Sequence, residues 1–519
     1  MHYVKNNGNY KRKSRASRGR KRFAGALLLV VVAIAFVVML RPGSHAATVE
    51  ALHPEPIVPV HPPYSPAARL LRPAPRWGAA ARSDLDSAVR AALAPGIEGA
   101  AAWSCIVIAQ DGSVIYDDHA TSAVEPASVQ KLIVTDTALT QLGSSFHFDT
   151  LFASARAPLN GRIDGDLYVA GSGDPSLRSQ DLLAGAGVLR KAGVQSISGH
   201  VIVDPSAITG EEINPLWNPD DANEDFMAAT SGISLDGDTV EFDVTGTSPG
   251  EPALIRIRPV SDDVHYYGSV TTGGEDNVVV AATETPNQFR LGGAIPAGVS
   301  ERYWVPVHGI PQYAAAVVAR ALKTQGVEAV HGTEIGAVPV GAEILWNHRS
   351  KPISELLAHM LFVSDNHFAE QLMRTLGGTQ GAASDDAGGI AVERRALQTQ
   401  GIPTPGLHLV DGSGLAHANR IAAVTLARLL QRYNSDPAGN PLYPLLPRGG
   451  KDGTLKMYDF TTAAGRVRAK SGHLDGAASL AGYVNTRKHG RVVFAFMING
   501  SPGDPDAAIV SAVDRLAER

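Results

Sequence analysis

The sequence predicts an α+β fold: an antiparallel sheet flanked by helices and interrupted by a large β-rich insertion. Three observations predict it. Helical periodicity marks the start of the body and returns after residue 340. A meander of strands occupies the end of the chain, between 467 and 498, before one last helix. Between about 156 and 340, short strand-like runs separated by Gly and Asp replace that pattern. A sheet covered by helices from both ends of a chain is one α+β domain, and a change of pattern inside it marks an insertion.

The segments follow in order. Residues 1–22 carry nine cations and no Asp or Glu, whereas the 519-residue chain has a net charge of −5. An unbroken apolar run of 18 residues, 23–40, comes next. That is close to the ~20 residues of a bilayer-spanning helix. Cations ahead of such a run keep the N-terminus in the cytoplasm and send the rest across. Ser44-His45-Ala46 has the small-x-Ala form of a cleavage site, yet the run is longer than an ordinary signal core. A retained anchor at 23–40 and a signal cleaved after Ala46 are both open. Either way the body is expected outside the cytoplasm, on the periplasmic or cell-wall side. Residues 41–82 form a linker with eight prolines between 54 and 75, a stiff spacer.

The first part of the α+β domain spans 83–155. Ser83 opens a helix to about Leu93, closed by Pro95-Gly96. A hairpin follows, Ser104–Gln110 and Ser113–Asp118 about the turn Asp111-Gly112. A second helix is expected from Pro126 to Leu142, with Val129, Leu132, Ile133, Leu139 and Leu142 on one face. The insertion, 156–340, reads as two subdomains with helical stretches near 179–191 and 311–323. The second part, 341–519, opens with helices Ile353–Val363 and His367–Leu376 on either side of Ser364-Asp365-Asn366. Strands Val467–Ser471, Ala478–Thr486 and Arg491–Ile498 follow, and a helix from Pro505 closes the chain.

Composition narrows the chemistry. Without its basic head the chain is more acidic still, which argues against a nucleic-acid partner. There is no Cys-x-x-Cys, no His-Glu-x-x-His and no phosphate loop, so neither metal nor cofactor is implied. Cys105 is the single cysteine, so no intrachain disulfide forms.

Three short motifs carry the chemistry. In Ser128-Val129-Gln130-Lys131 the hydroxyl and the amine are three apart, hence neighbours on a helix. A serine needs a base to become a nucleophile, and a lysine serves when burial lowers its pKa. Taken alone, Ser-x-x-Lys recurs by chance in many helices. The second motif is Ser364-Asp365-Asn366. Here the Ser hydroxyl can relay a proton and the Asn amide can orient a lysine and a substrate, while the same residues can also cap a helix. The third, Lys470-Ser471-Gly472-His473, lies on a strand. Lys470 and Ser471 suit a terminal carboxylate, and Gly472 lets a peptide backbone approach. The backbone N–H groups of Ser128 and His473 suit an oxyanion hole.

The ordered set is stronger than its parts. Ser-x-x-Lys, Ser-Asp-Asn and Lys-Thr-Gly occur together in β-lactamases and penicillin-binding proteins, and here the last reads Lys-Ser-Gly. The chain resembles the D-Ala-D-Ala carboxypeptidase/endopeptidase family of low-molecular-mass class C penicillin-binding proteins. Glu125–Leu132, Gly165–Val169, Gly171–Leu177, Ser364–Glu370, Asp411–Leu415 and Asp452–Leu455 carry the resemblance across roughly 83–519. The separation of 236 positions from Ser128 to Ser364 also fits this family, whose members carry extra domains there.

The resemblance implies a penicillin-binding/transpeptidase-like catalytic domain. It implies a serine DD-peptidase that removes the terminal D-Ala of peptidoglycan stem peptides through an acyl-enzyme on Ser128 and is acylated by β-lactams. Some members also cut cross-links. Catalysis would fall to Ser128, Lys131, Ser364 and Asn366, and substrate binding to Lys470, Ser471, Gly472 and His473. A β-lactamase of the same fold and a catalytically silent wall-binding scaffold are the competing readings. The oligomeric state is not legible.

Overall fold

The computed structural model describes residues 77–519, apart from 228 and 435–438, together with a separate N-terminal hairpin, Tyr3–Asn6 paired with Asn9–Arg12. The expected anchor or signal core at 23–40, the cleavage position after Ala46 and most of the linker 41–82 lie outside the described residues. Among the described residues, no helix is long and apolar enough to cross a membrane.

The catalytic sheet has five antiparallel strands. They are β1 (Ala102–Ile108), β2 (Val114–Asp118), β3 (Val467–Leu474), β4 (Ala477–Asn485) and β5 (Arg491–Asn499), in the spatial order β3-β4-β5-β1-β2. The first strand is thus bound to the last one made, Cys105 opposite Phe496.

Helices α1 (Ala79–Ile97) and α7 (Pro505–Glu518) cover one face. Leu85, Val89 and Leu93 from α1 meet Ile509, Val513 and Leu516 from α7 over Cys105, Val107, Phe494 and Phe496. Period-2 strands and 3.6-period helices present their apolar sides to one another here, the condition for a two-layer core. α1 runs on through Pro95, beyond the expected stop at Leu93. Its end packs tightly on α7: a Cβ on Gly96 would lie 2.7 Å from Ala508 Cβ. Cys105 is fully buried and its thiol is pushed up to about 12 by burial, so it behaves as a small core residue.

The helical layer that holds the motifs is built from α2 (Lys131–Gln141), α3 (Ile353–Val363), α4 (Asn366–Thr379), α5 (Asp386–Thr399) and α6 (Ala423–Asn434). α6 packs on β1, β4 and β5.

The insertion contains a mixed five-stranded sheet. Its order is Thr333–Ile335, Val201–Asp204, Leu167–Gly171, Asp149–Ser154, Glu343–Arg349. The first two pairings are parallel and the last two antiparallel. Helices Ser179–Lys191 and Ile310–Thr324 pack into its core, at the two places the sequence marks as helical. A three-stranded antiparallel sheet, Leu254–Arg258, Thr239–Thr245 and Ser300–Pro306, follows in the same region. Arg349 pairs with Asp149, so chain entry and exit lie side by side. The sheet therefore draws one strand from each side of the interval 156–340.

Candidate active site

Ser128 does not sit on the α-helix that the periodicity suggests. It lies in a short 3-10 turn, Ala127–Gln130, that leads into α2 at Lys131. The spacing still brings the pair together, because residues three apart eclipse in a 3-10 turn. Ala127, immediately before the serine, has φ +51°, the left-handed region that L-residues avoid. Two glycines frame it. A Cβ on Gly414 would collide with the Ala127 carbonyl oxygen, and one on Gly472 would lie 2.7 Å from the Ser128 amide nitrogen and 3.0 Å from Ala127 Cβ. The glycine of the third motif is thus a steric requirement of the first.

Lys131 is fully buried. Its Nζ donates to Ser128 Oγ (2.9 Å), Asn366 Oδ1 (2.7 Å) and the Ser413 carbonyl (2.8 Å). Burial brings its pKa down to about 8, against the opposing pull of Glu370, Asp411 and Asp365. An appreciable neutral fraction near neutral pH is what a base toward Ser128 needs.

Ser364 ends α3 in the left-handed conformation, φ +64°. The cap of α4 is Asp365, which accepts from Phe368 N at 3.1 Å, so Asn366 is free for the site. His359 beside Asp365 holds that carboxylate well below its usual range in spite of burial.

Lys470 on β3 is fully buried. Its Nζ donates to Ser364 Oγ (2.8 Å) and to the Ser471 carbonyl (2.6 Å). Burial, reinforced by the nearby Lys131, drives its pKa far down. Ser471 Oγ pairs with Thr454 Oγ1 at 2.9 Å. His473 Nε2 lies 2.7 Å from Asp506 Oδ1 and 3.1 Å from the Tyr458 hydroxyl, so the outer end of the motif is tied to the start of α7. All eight residues named from the sequence converge on one locus: Ser128, Lys131, Ser364 and Asn366 through Lys131 and Lys470, and Lys470 to His473 along the adjoining strand.

Such a locus offers a serine, a lysine with a depressed pKa in contact with it, and a strand that carries a second buried lysine beside them. The comparisons with known proteins fit it. Residues 82–519 match the D-Ala-D-Ala carboxypeptidase 3 (S13) family. The chain belongs to that family. It is 31% identical over 459 residues to the D-alanyl-D-alanine carboxypeptidase of Actinomadura sp. (strain R39), 84% of each chain. It is 28% identical over 407 residues to DacB of Haemophilus influenzae, covering 75% of this chain and 84% of that one. Penicillin binding protein 4 (dacB) from Haemophilus influenzae has a similar crystal structure, with TM-score 0.71 at 26% identity, covering 84% of this chain and 98% of the other. Its complex with a β-lactam gives 0.67 at 25% identity. This S13 peptidase is therefore a serine-type D-Ala-D-Ala carboxypeptidase of penicillin-binding fold, an enzyme of the cell wall.

The sequence leaves the Asp411–Leu415 and Asp452–Leu455 boxes open between loops that frame the cleft and structural turns, and gives their single residues no roles. Asp411 accepts from Gln130 Nε2 (3.1 Å), Gly414 N (2.8 Å), Ala416 N (2.7 Å), Asn419 Nδ2 (2.8 Å) and Trp217 Nε1 (3.0 Å). Gln130 Nε2 also donates to the Asp411 carbonyl. Glu370 accepts from the amides of Gly412 (2.9 Å) and Ser413 (2.7 Å). Burial raises the pKa of both carboxyls. Together they shape the loop whose Ser413 carbonyl touches Lys131. Asp411–Leu415 stands out in the sequence as a box, but nothing in its spacing says which residues it binds. The hydroxyl of Thr454 beside Ser471 likewise assigns the Asp452–Leu455 box to the cleft.

Proposed function

We propose that Ser128 is the nucleophile of this DD-peptidase and Lys131 its base. The carrying observation is the 2.9 Å bond between a fully buried lysine and that serine. Neutral Lys131 takes the Ser128 proton as Oγ attacks the carbonyl carbon of the penultimate D-Ala. The N–H groups of Ser128 and His473 hold the oxyanion. The C–N bond breaks, and the proton passes from Lys131, through Ser364, to the amine of the departing D-Ala. Water then attacks the acyl-enzyme with Lys131 again as base, releasing the shortened peptide. Lys470, Ser471 and Thr454 receive the terminal carboxylate. A bound carboxylate offsets the burial that depletes the charge of Lys470. Asn366 orients Lys131 and the peptide.

A β-lactam carries an amide and a carboxylate in the same relation and follows the same path to an ester on Ser128. Peptidoglycan stem peptides and β-lactams are thus the partners of the site. The 18-residue apolar run at 23–40 and the cations before it support retention at the membrane, with the body on the outer side. Recovery of the mature protein in the soluble fraction, beginning at Ala47, would instead establish cleavage.

The test is the intact mass of the protein after brief exposure to benzylpenicillin, beside Ser128→Ala. Addition of one penicillin to the wild type alone, with D-Ala released from a muramyl pentapeptide, is the expected result. Penicillin hydrolysis without an adduct would favour a β-lactamase. Intact drug and no adduct would favour a silent scaffold.

A further inference from the structure

Two hydrogen bonds link the insertion to the residues that present or position acceptors of Lys131. The first comes from Trp217, which is buried against Met227 and Ala416. Its indole N–H donates to Asp411 Oδ2 at 3.0 Å. The same carboxylate fixes the loop from Gly414 to Ala416, and with it the Ser413 carbonyl that accepts from Lys131. The second comes from Phe226, whose main-chain carbonyl accepts from Asn366 Nδ2 at 3.2 Å. An amide donating there must turn its oxygen away, and that oxygen is the other acceptor of Lys131, at 2.7 Å.

Lys131 therefore has three acceptors: the nucleophile, an Asn366 oxygen whose amide donates to the insertion, and a Ser413 carbonyl on a loop that the insertion braces through Asp411. Further bonds carry the segment that bears Trp217 and Phe226. Asn214 Nδ2 donates to the Val410 carbonyl (2.7 Å), Arg374 to the Glu211 carbonyl (2.6 Å), and Ser231 N to Gln371 Oε1 (3.1 Å). These bonds run along α4 and the start of the Asp411 loop.

We propose that the insertion completes the active site: Trp217 and the Phe226 carbonyl are positioning groups that aim the Nζ of Lys131 at Ser128. The inference deepens the assignment of Ser128 as nucleophile and Lys131 as base, and it rests on it. A lysine with flexible acceptors spends less time with its nitrogen directed at the hydroxyl. Loss of either bond thus slows proton removal, and neither bonded group is among those assigned above to the terminal carboxylate.

The test uses the full chain with Trp217→Phe, and with β-(3-benzothienyl)alanine at 217, which keeps the bicyclic shape and lacks the N–H. Rapid-mixing measurements with benzylpenicillin separate the affinity of the first complex from the acylation rate constant. Both replacements should lower the rate constant about tenfold, the scale of one hydrogen bond to a charged group. The affinity should stay within about twofold, the scale of an unaltered contact. If Trp217→Phe does not fold, the isosteric replacement decides alone. Wild-type acylation by the benzothienyl protein, or a loss of affinity with an unchanged rate constant, would overturn the proposal. Failure of the wild-type protein to acquire a penicillin that Ser128→Ala lacks would instead overturn the assignment beneath it.

Discussion

The Nζ of Lys470 lies 2.8 Å from the hydroxyl of Ser364, and the two residues come from a strand and a helix end 106 positions apart. This contact couples the carboxylate end of the cleft to the serine proposed to carry the proton. Ser364→Ala should slow acylation by benzylpenicillin about 10- to 100-fold, the range for a bond to a charged group. Stopped-flow rates that stay within twofold of the wild type would remove Ser364 from the proton path.

Lys131 gives a pH dependence with a definite sign. Only its neutral form accepts the Ser128 proton, and burial has brought its pKa to about 8. Acylation should therefore rise about tenfold per unit between pH 5 and 7 and level off above about 8. Lys131→Met should remove that limb together with the activity. A flat profile from pH 5 to 9 would mean that another group is the base.

Gly472 faces the turn of the nucleophile. A Cβ there would meet Ser479 Oγ, Ser128 N at 2.7 Å and Ala127 Cβ at 3.0 Å. Gly472→Ala should reduce acylation at least ~100-fold and cost roughly 1–3 kcal/mol of stability, the scale of an overpacked site. Urea melts and adduct formation measure the two separately, and normal acylation would show that the strand can move aside.

Glu393 on α5 is fully buried, and neither carboxylate oxygen has a partner among the described residues. Burial, with Glu370 and Asp411 nearby, raises its pKa far above the usual range. The folded state therefore prefers the neutral acid. Its stability is undiminished below the unfolded pKa of about 4.3 and declines as pH rises above it. Glu393→Met should gain stability on the order of 1 kcal/mol at pH 8 and little at pH 4. Thermal melts across that range check it; a loss at every pH would give the carboxyl a bonding role.

Much of this was legible in the sequence. The ends of α3 at Ile353 and Val363 were readable because Pro352 and the Ser-Asp-Asn break punctuate an apolar run. The hairpin about Asp111-Gly112 was readable for a similar reason. The three motifs specify the site because each needs one kind of backbone: a tight turn, a helix junction, a strand. Helices Asp386–Thr399 and Ala423–Asn434 were not singled out. The first turn of Asp386–Thr399 holds two glycines that blur its period but allow close packing, Gly388 on Ala383 and Gly389 on Met373. The insertion sheet was only partly legible, since parallel pairing such as Val201 beside Leu167 is set by chain crossing and leaves no local signature. The ties from Trp217 and Phe226 join positions about 140 to 190 residues apart, and one of them uses a carbonyl, which every residue has.

The strand order of the catalytic sheet imposes a schedule on activity. β1 cannot be paired on its inner side until β5 exists, and β5 begins 383 positions after β1 ends. Ser128 appears early in synthesis, whereas the glycine that frames its turn arrives more than 340 residues later. A nascent chain thus holds an unassembled nucleophile until the strand that carries Gly472 has been made and lies beside the turn of Ser128.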